Sequence, residues 1–390
     1  MKSADIVSEQ YNGLRDLQRT LPKSYYIDEA HYKRELDAIW YRSWVYMCRA
    51  EDLALAGDFK TITIGSQNII VLRDDQQALQ AFHNTCRHRG SILLTEESGN
   101  LGASSRLSCP YHRWSYSLQG NLLRTGVGSC PAGFDKSDYP LYDVSIEEWN
   151  GFVYVNLDPE PSHRLTESFD EFSVPLDNWS LADVRRGHVY EKTLNCNWKI
   201  FWENFNECLH CPNVHQQLCD IVPLYRRGIM EAFDDPAWQE GNENRDPAYA
   251  GGLREGASTW STDGQARGAH FPNLSEQEIN TGHNYHMHMP SMFIVGHLNY
   301  VRTMQVLPLG PEKILLRGDW YFPQATLDDA DVDIDEIAAF ARQVMDEDGY
   351  VSELNQKGLH SIAHQRGALM AEEYDVHRFQ NWVLEKLAAL

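Results

Sequence analysis

The 390-residue sequence predicts an α+β protein, with an N-terminal all-β domain that binds metal and a larger second domain whose antiparallel sheet is covered by helices. Three observations lead there. Between residues 44 and 157, short strand-like runs are broken by Gly, Asn and Asp turns, the pattern of a small antiparallel β domain. Beyond 159, strand-like runs mix with longer stretches of helical period. Within the β region, two Cys/His pairs lie in loops close together in sequence.

Residues 1–40 read as an N-terminal helical segment. Asp28 is placed to cap a helix over 29–40, where Tyr32, Leu36, Ile39 and Trp40 fall at helical spacing. This helix is expected to pack on the domain that follows. Strands are expected at 44–47, 59–64, 68–73 and 79–84, the last leading into the Cys86 loop. Residues 107–108 lead into the second loop, 114–122 give a strand and a Gly turn, and 151–157 closes the domain. Asp158-Pro159-Glu160-Pro161 marks a boundary, so the β domain is placed at 41–158 and the second domain at 159–390. There, strands are expected at 188–194, 292–295, 299–307 and 313–321, and helices at 334–357 and 376–387. Residues 230–270, rich in Gly, Asp, Glu and Asn, read as a long polar loop over a pocket.

The net charge of −22, with no basic stripe, disfavours nucleic acid and anionic membrane as partners, since both reward Lys/Arg clusters. No apolar run approaches the roughly 18–20 residues that span a bilayer, and the polar start lacks a signal-peptide core. A cytoplasmic protein is expected. Outside the metal pairs, Cys48, Cys130, Cys196, Cys208, Cys211 and Cys219 show no framework spacing, and a chain of this size needs no disulfide.

The first pair lies in Cys86-Arg87-His88-Arg89-Gly90, the second in Cys109-Pro110-Tyr111-His112-Arg113-Trp114. Two thiolates and two imidazoles fit an iron–sulfur centre in which histidines replace two cysteines on one iron. Zinc takes the same donor set, but each loop here offers one sulfur and one nitrogen, whereas zinc fingers usually pair like with like. These residues resemble the C-x-H … C-x-x-H motif of Rieske-type non-haem iron oxygenases. The resemblance implies a Rieske [2Fe-2S] cluster on Cys86, His88, Cys109 and His112.

A second group follows in the larger domain. Glu207 and His210, at i and i+3, would share a helical face. His215, five residues on, would point about 140° away on an unbroken helix, but Pro212 disfavours helix at Cys211 and lets the chain swing His215 back. Two imidazoles and a distant carboxylate make the facial triad of non-haem iron(II), open to O2 and substrate. The plain alternative is a pair of satisfied polar histidines beside a helix end.

Asn197-Trp198-Lys199, Glu203-Asn204 and Glu207-x-x-His210-x-x-x-x-His215 resemble the catalytic signature of the same oxygenase family, so the resemblance covers most of the chain. It implies a mononuclear iron on His210, His215 and an acid about eight residues before a glutamine that is followed closely by glycine, here Gln356 and Gly358. Counting back from Gln356 gives Asp348, with Asp346 and Glu347 as alternatives. It further implies electrons from an NAD(P)H-dependent flavin/iron–sulfur reductase or a ferredoxin. In the family, electrons cross a subunit boundary through a bridging acid, which falls on Glu207, so a homotrimer is expected.

Glutamate at the bridge resembles the branch that oxygenates carnitine or demethylates betaines, although Leu209 stands where an aromatic is common. A quaternary ammonium pocket calls for aromatic faces, for which Trp202, Phe205, Tyr285 and Tyr300 are candidates. In His283-Asn284-Tyr285-His286-Met287-His288, strand geometry would put His286 and His288 on one face. The alternative within the family is hydroxylation or dihydroxylation of an aromatic acid. A Rieske protein that only carries electrons would not need the second half, and a zinc hydrolase on the His pair would not need the cluster.

Overall fold

The structure, a computed structural model, describes residues 13–102, 105–169, 173–228 and 236–390. It divides into two compact units. One gathers residues up to 38, 173–287 and 293–390, and the other holds 39–169 and 288–292.

The smaller unit is all-β in its regular elements. Strands β1 (Val45–Arg49), β9 (Ser145–Trp149) and β10 (Phe152–Asn156) form one sheet in the order β1-β10-β9. A second has the order β4-β3-β2-β5, from β2 (Asp58–Ile64), β3 (Gln67–Arg73), β4 (Leu79–His83) and β5 (Ser98–Asn100). The β2–β3 hairpin closes on the two-residue loop Gly65-Ser66, where Gly65 takes φ +57°, a conformation that costs other residues more. The third sheet is β6 (Leu107–Ser108), β7 (Trp114–Tyr116) and β8 (Leu122–Thr125), in that order. Cys86 and Cys109 lie in a core shared by the second and third sheets, with Phe59, Ile70, Leu72, Phe82, Leu107 and Tyr116.

The larger unit is built on a five-stranded sheet, ordered β11-β15-β14-β13-β12, from β11 (Arg185–Leu194), β12 (Asn284–His288), β13 (Met292–Gly296), β14 (Val301–Gly310) and β15 (Lys313–Phe322). The β11–β15 and β14–β15 pairs are antiparallel. Its main helices are α1 (Glu29–Glu35), α2 (Trp198–Phe205), α3 (Cys211–Val214), α4 (Gln216–Ile221), α5 (Pro236–Glu243), α6 (Ile334–Leu359) and α7 (Tyr374–Ala388).

Two expectations are corrected. The Asp28 cap is as expected, its carboxylate accepting from Ala30 N at 2.8 Å, but α1 gives way to a π turn over Leu36–Trp40. Nor does α1 belong with the β domain that follows it: Glu35, fully buried, reaches Lys199 Nζ at 2.6 Å and Trp198 Nε1 at 2.8 Å on α2. A buried carboxylate needs a buried cation, and the larger unit supplies it. Second, the expected polar loop carries α5, because Trp238 is buried against Tyr249 and Arg227 despite the polar residues around it. The part at 230–235 lies outside the described residues.

Candidate metal sites

The two loops of the smaller unit repeat one backbone device. Cys86 N–H donates to Ser91 O (2.8 Å), and Gly90 N–H donates to Cys86 O (2.9 Å). Likewise Cys109 N–H donates to Trp114 O (2.8 Å), and Arg113 N–H to Cys109 O (3.0 Å). Each cysteine thus stands at the mouth of a matched turn with its histidine on the rim. Asn84, buried, pins the first loop by accepting from Leu93 N and Leu94 N at 2.9 and 3.0 Å. Gly126, at φ +81°, lets β8 approach the second loop: a Cβ there would stand 2.3 Å from His112 O.

All four cluster candidates come together. Cys86 and Cys109 are buried, and the His88 and His112 rings lie 4.7 Å apart. His88, exposed, stacks flat on Trp114 at 4.9 Å. Burial pushes the Cys86 thiol up, opposed by the Tyr116 hydroxyl and His88 N–H, with the Cys109 thiol pushing it further up. Tyr116 Oη lies 3.3 Å from Cys86 Sγ and accepts Arg87 N–H at 3.0 Å, so its own proton is free to point at the sulfur. His112 Nδ1 is buried with no hydrogen-bond partner among the described residues. Two buried thiols and an orphaned imidazole nitrogen fit a [2Fe-2S] cluster with mixed ligation.

In the larger unit, α2 ends at Phe205, and residues 206–210 are not helical. The shared helical face expected for Glu207 and His210 is therefore absent. The Glu207 carboxylate accepts from the backbone N–H groups of Leu209 and His210, a local bond that competes with helix. The pair still meets, Glu207 Oε1 accepting from His210 Nδ1 at 2.6 Å. Pro212 opens the short helix α3 instead of ending α2, and His215 follows it.

His210 Nε2 and His215 Nε2 stand 3.2 Å apart. Asp348 Oδ1, from α6, lies 2.9 Å from the second and 3.4 Å from the first. Neighbouring ligands on an octahedral ion with bonds of about 2.1 Å stand about 3 Å apart, so the three atoms fit one face of such an ion. Burial would raise the Asp348 carboxyl, but hydrogen bonds from both imidazoles hold it well below the usual range. Burial would lower His210, but Asp348 and Glu207 raise it to about 9.

The alternatives to Asp348 have other work. Asp346 takes Lys192 Nζ at 2.5 Å and the Tyr190 hydroxyl at 2.8 Å. Glu347 Oε2 accepts from His215 Nδ1 at 2.7 Å. Both histidines therefore place a proton on Nδ1, facing a carboxylate, and turn Nε2 inward. Glu347 is a site residue that sequence reasoning treated only as a rival ligand. Asn204, which donates to Asp348 Oδ1 at 2.7 Å, was also missed as a site residue.

A disulfide between Cys208 and Cys211 corrects the expectation of none. Cys211 N–H donates to Cys208 O at 3.1 Å, and this turn brings the Cα atoms to 5.0 Å, within bridging range. Local turn geometry, not chain size, decides it. The bridge brackets His210.

The triad opens on a cavity of about 230 Å³. That is below the roughly 300–1,000 Å³ of drug-sized pockets. Of the aromatic candidates, Phe205 and Tyr285 line it; Trp202 and Tyr300 are buried behind. Phe293, Trp260 and Arg302 line it too and were not singled out. Strand parity on β14, which puts Arg302 and Met304 on one face, was the available signal. His286 and His288 share a buried face as expected and do not line the cavity. His286 Nδ1 bonds Val174 O at 3.0 Å, and His288 stacks on Tyr154.

Comparison with known proteins decides the family. Residues 179–389 match the ring hydroxylating alpha subunit catalytic domain, and residues 43–128 match the Rieske [2Fe-2S] domain. The chain belongs to the ring-hydroxylating α-subunit family of Rieske oxygenases. The oxygenase is 27% identical to the glycine betaine monooxygenase oxygenase subunit of Chromohalobacter salexigens, over 94% of this chain and 86% of that one. It is 26% identical to the carnitine monooxygenase oxygenase subunit of Acinetobacter pittii, over 99% of both, and 29% identical to chloroplastic choline monooxygenase of Arabidopsis thaliana, over 92% and 81%. The fold of the oxygenase matches the quaternary ammonium Rieske monooxygenase CntA in complex with L-carnitine (TM-score 0.66, 22% identity, 95% and 96% covered). It also matches naphthalene 1,2-dioxygenase from Rhodococcus (TM-score 0.65, 18% identity, 95% and 94% covered). Oxygenases of this family use a [2Fe-2S] cluster, a mononuclear iron and O2. No helix among the described residues of this one is long and apolar enough to cross a membrane.

Proposed function

We propose that this oxygenase inserts one oxygen atom into a C–H bond beside the nitrogen of a small quaternary ammonium compound, a betaine or carnitine. The observation that carries the reading is a His-His-Asp triad facing a small cavity walled by Phe205, Tyr285, Phe293 and Trp260. Aromatic faces hold an ammonium through cation–π attraction, which strengthens where water is excluded. The names of the relatives support the same class.

We assign Cys86, His88, Cys109 and His112 to the cluster, and His210, His215 and Asp348 to the iron. Bound there, the cluster supplies single electrons and the iron activates O2. Overall, one oxygen atom enters an N-methyl C–H bond, and the other leaves as water with two electrons and two protons. The N-hydroxymethyl product then releases formaldehyde and a proton, leaving the tertiary amine. The chain's own work is placement. Glu207 and Glu347 take the Nδ1 protons of His210 and His215, Asn204 steadies Asp348, and the aromatic walls exclude water.

Residues 41–158 serve as the electron-accepting domain, 159–390 as the catalytic domain, and 1–40 as an N-terminal segment that ties into it. Electrons come from NAD(P)H through a flavin/iron–sulfur reductase or ferredoxin in the cytoplasm. Glu207 is the bridge in a homotrimer, a role supported by its bond to His210 and by the exposure of His88, which leaves a cluster ligand facing outward. The test is a panel of quaternary ammonium compounds and aromatic acids, scored by O2 uptake and formaldehyde release with a surrogate reductase. Formaldehyde from a betaine supports the reading; hydroxylated product from an aromatic acid alone overturns it.

A further inference from the structure

Arg302 lies on β14 at the wall of the cavity and is only 5% exposed. No carboxylate among the described residues pairs with it, and its Nε has no hydrogen-bond partner there. Its guanidinium sits over the Trp260 ring at 5.3 Å and 5.9 Å from the Phe293 ring centre. Burying a cation without a counter-ion is costly, so buried arginines are normally paired. The other basic groups nearby are kept neutral: burial and then Arg302 itself hold His283 down to about 4 and His297 well below the usual imidazole range. Acidic residues do line the cavity, but Asp348 is committed to the two histidines, Glu207 to His210, and Asp375 lies 3.2 Å from Arg378. The cavity therefore presents an unpaired, desolvated guanidinium, with donors in the fork geometry that suits a carboxylate.

Tyr285 lines the same cavity as Arg302 and the triad of His210, His215 and Asp348. Phe205 and Phe293, stacked at 4.1 Å, lie beside it, with Tyr285 5.6 Å from the first and 6.1 Å from the second.

We infer that Arg302 binds the carboxylate of a zwitterionic substrate, whose ammonium lies among Phe205, Phe293 and Tyr285 toward the triad. The inference rests on the quaternary ammonium reading above and adds to it the residue that recognises the carboxylate. A cation without a carboxylate, such as choline, would leave Arg302 unpaired and would be repelled by it. The small cavity suits a short separation between the two charged ends.

The test is calorimetric binding of glycine betaine, L-carnitine, choline and benzoate to the metal-loaded oxygenase under anaerobic conditions, in wild type and in Arg302→Gln. Wild type is expected to bind glycine betaine or L-carnitine at least about tenfold more tightly than choline, since a single charge-assisted hydrogen bond exceeds the 1.4 kcal/mol of a tenfold step. Arg302→Gln should weaken the carboxylate ligands by roughly 30- to 100-fold while choline binding holds or improves. The retained choline signal reports an intact pocket. If the variant does not fold, the wild-type ranking of betaines against choline decides alone. Choline binding as tightly as the betaines, or betaine affinity within threefold of wild type in the variant, overturns the inference and leaves the quaternary ammonium reading standing. Benzoate as the sole ligand, lost in the variant, keeps the carboxylate site and sinks the quaternary ammonium reading.

Discussion

Around Cys86 and Cys109, the groups that shape the site are mostly neutral: matched backbone turns, an amide from Asn84 and the Tyr116 hydroxyl. Around His210 and His215 they are carboxylates, with Glu207 and Glu347 behind the imidazoles and Asp348 between them. The helix leading there, α2, carries two further ionisable groups, the fully buried Lys199 and the partly buried Glu203. The contrast fits the work proposed for each site. A centre that receives and gives electrons at the surface is tuned by hydrogen bonds to its sulfurs. A dication in a dry cavity needs negative charge around it and a fixed orientation for each ligand.

The largest break in this comparison is Asp348→Ala. It should take mononuclear iron and turnover to background while the Rieske absorption stays, checked by iron content and the visible spectrum. Loss of the cluster as well would mean the two sites are not independent. Glu207→Gln is next: both metals remain, and coupled turnover falls by about 10–100-fold. Unchanged single-turnover electron transfer to the iron would remove Glu207 from the bridging role.

Glu203 probes the charged side from within the fold. Burial raises its carboxyl to about 7 from 4.5, against hydrogen bonds from Tyr26 and Gln380. A folded pKa above the unfolded one favours the protonated form. Its stability contribution is therefore complete below about pH 4.5 and is lost as pH rises to 7. Glu203→Gln keeps an acceptor for both donors and should raise stability by about 1–3 kcal/mol at pH 8, with almost no effect at pH 4.5. Denaturant midpoints at the two pH values check this. Glu347→Gln, replacing a carboxylate that is partly exposed, should weaken iron binding by about tenfold, measured by chelator competition. Smallest of all, Tyr116→Phe removes one neutral hydrogen bond of about 0.5–1.5 kcal/mol from Cys86, lowering the cluster potential by roughly 20–60 mV. An unmoved potential would show that the hydroxyl points elsewhere.

The same contrast explains what could be read from the sequence. The Cys/His grouping was legible because the two candidate ligands of each loop are sequence neighbours, so a spacing rule suffices. The His pair was legible as a pair, but its backbone was not: Glu207 caps its own turn, which no helical period reveals. Asp346, Glu347 and Asp348 looked like three candidates for one role. On α6 they do different work: Asp346 meets Lys192 and Tyr190, Glu347 the Nδ1 of His215, and Asp348 the Nε2 atoms of both histidines. Arg302 was overlooked because strand parity on β14 places it on a face without saying what that face lines; the absence of an acid around it makes it informative. Cys208 and Cys211 needed a turn that spacing alone does not impose.

The buried pair of Glu35 and Lys199 bears on how the protein can be dissected. A catalytic half cut at residue 159 would strand Lys199 without its counter-ion and Glu203 without the Tyr26 hydroxyl, 2.7 Å away. Removing one member of a buried ion pair costs about 3–5 kcal/mol. Such a fragment would need residues up to 38 supplied as a fused or separate peptide before it could stand alone.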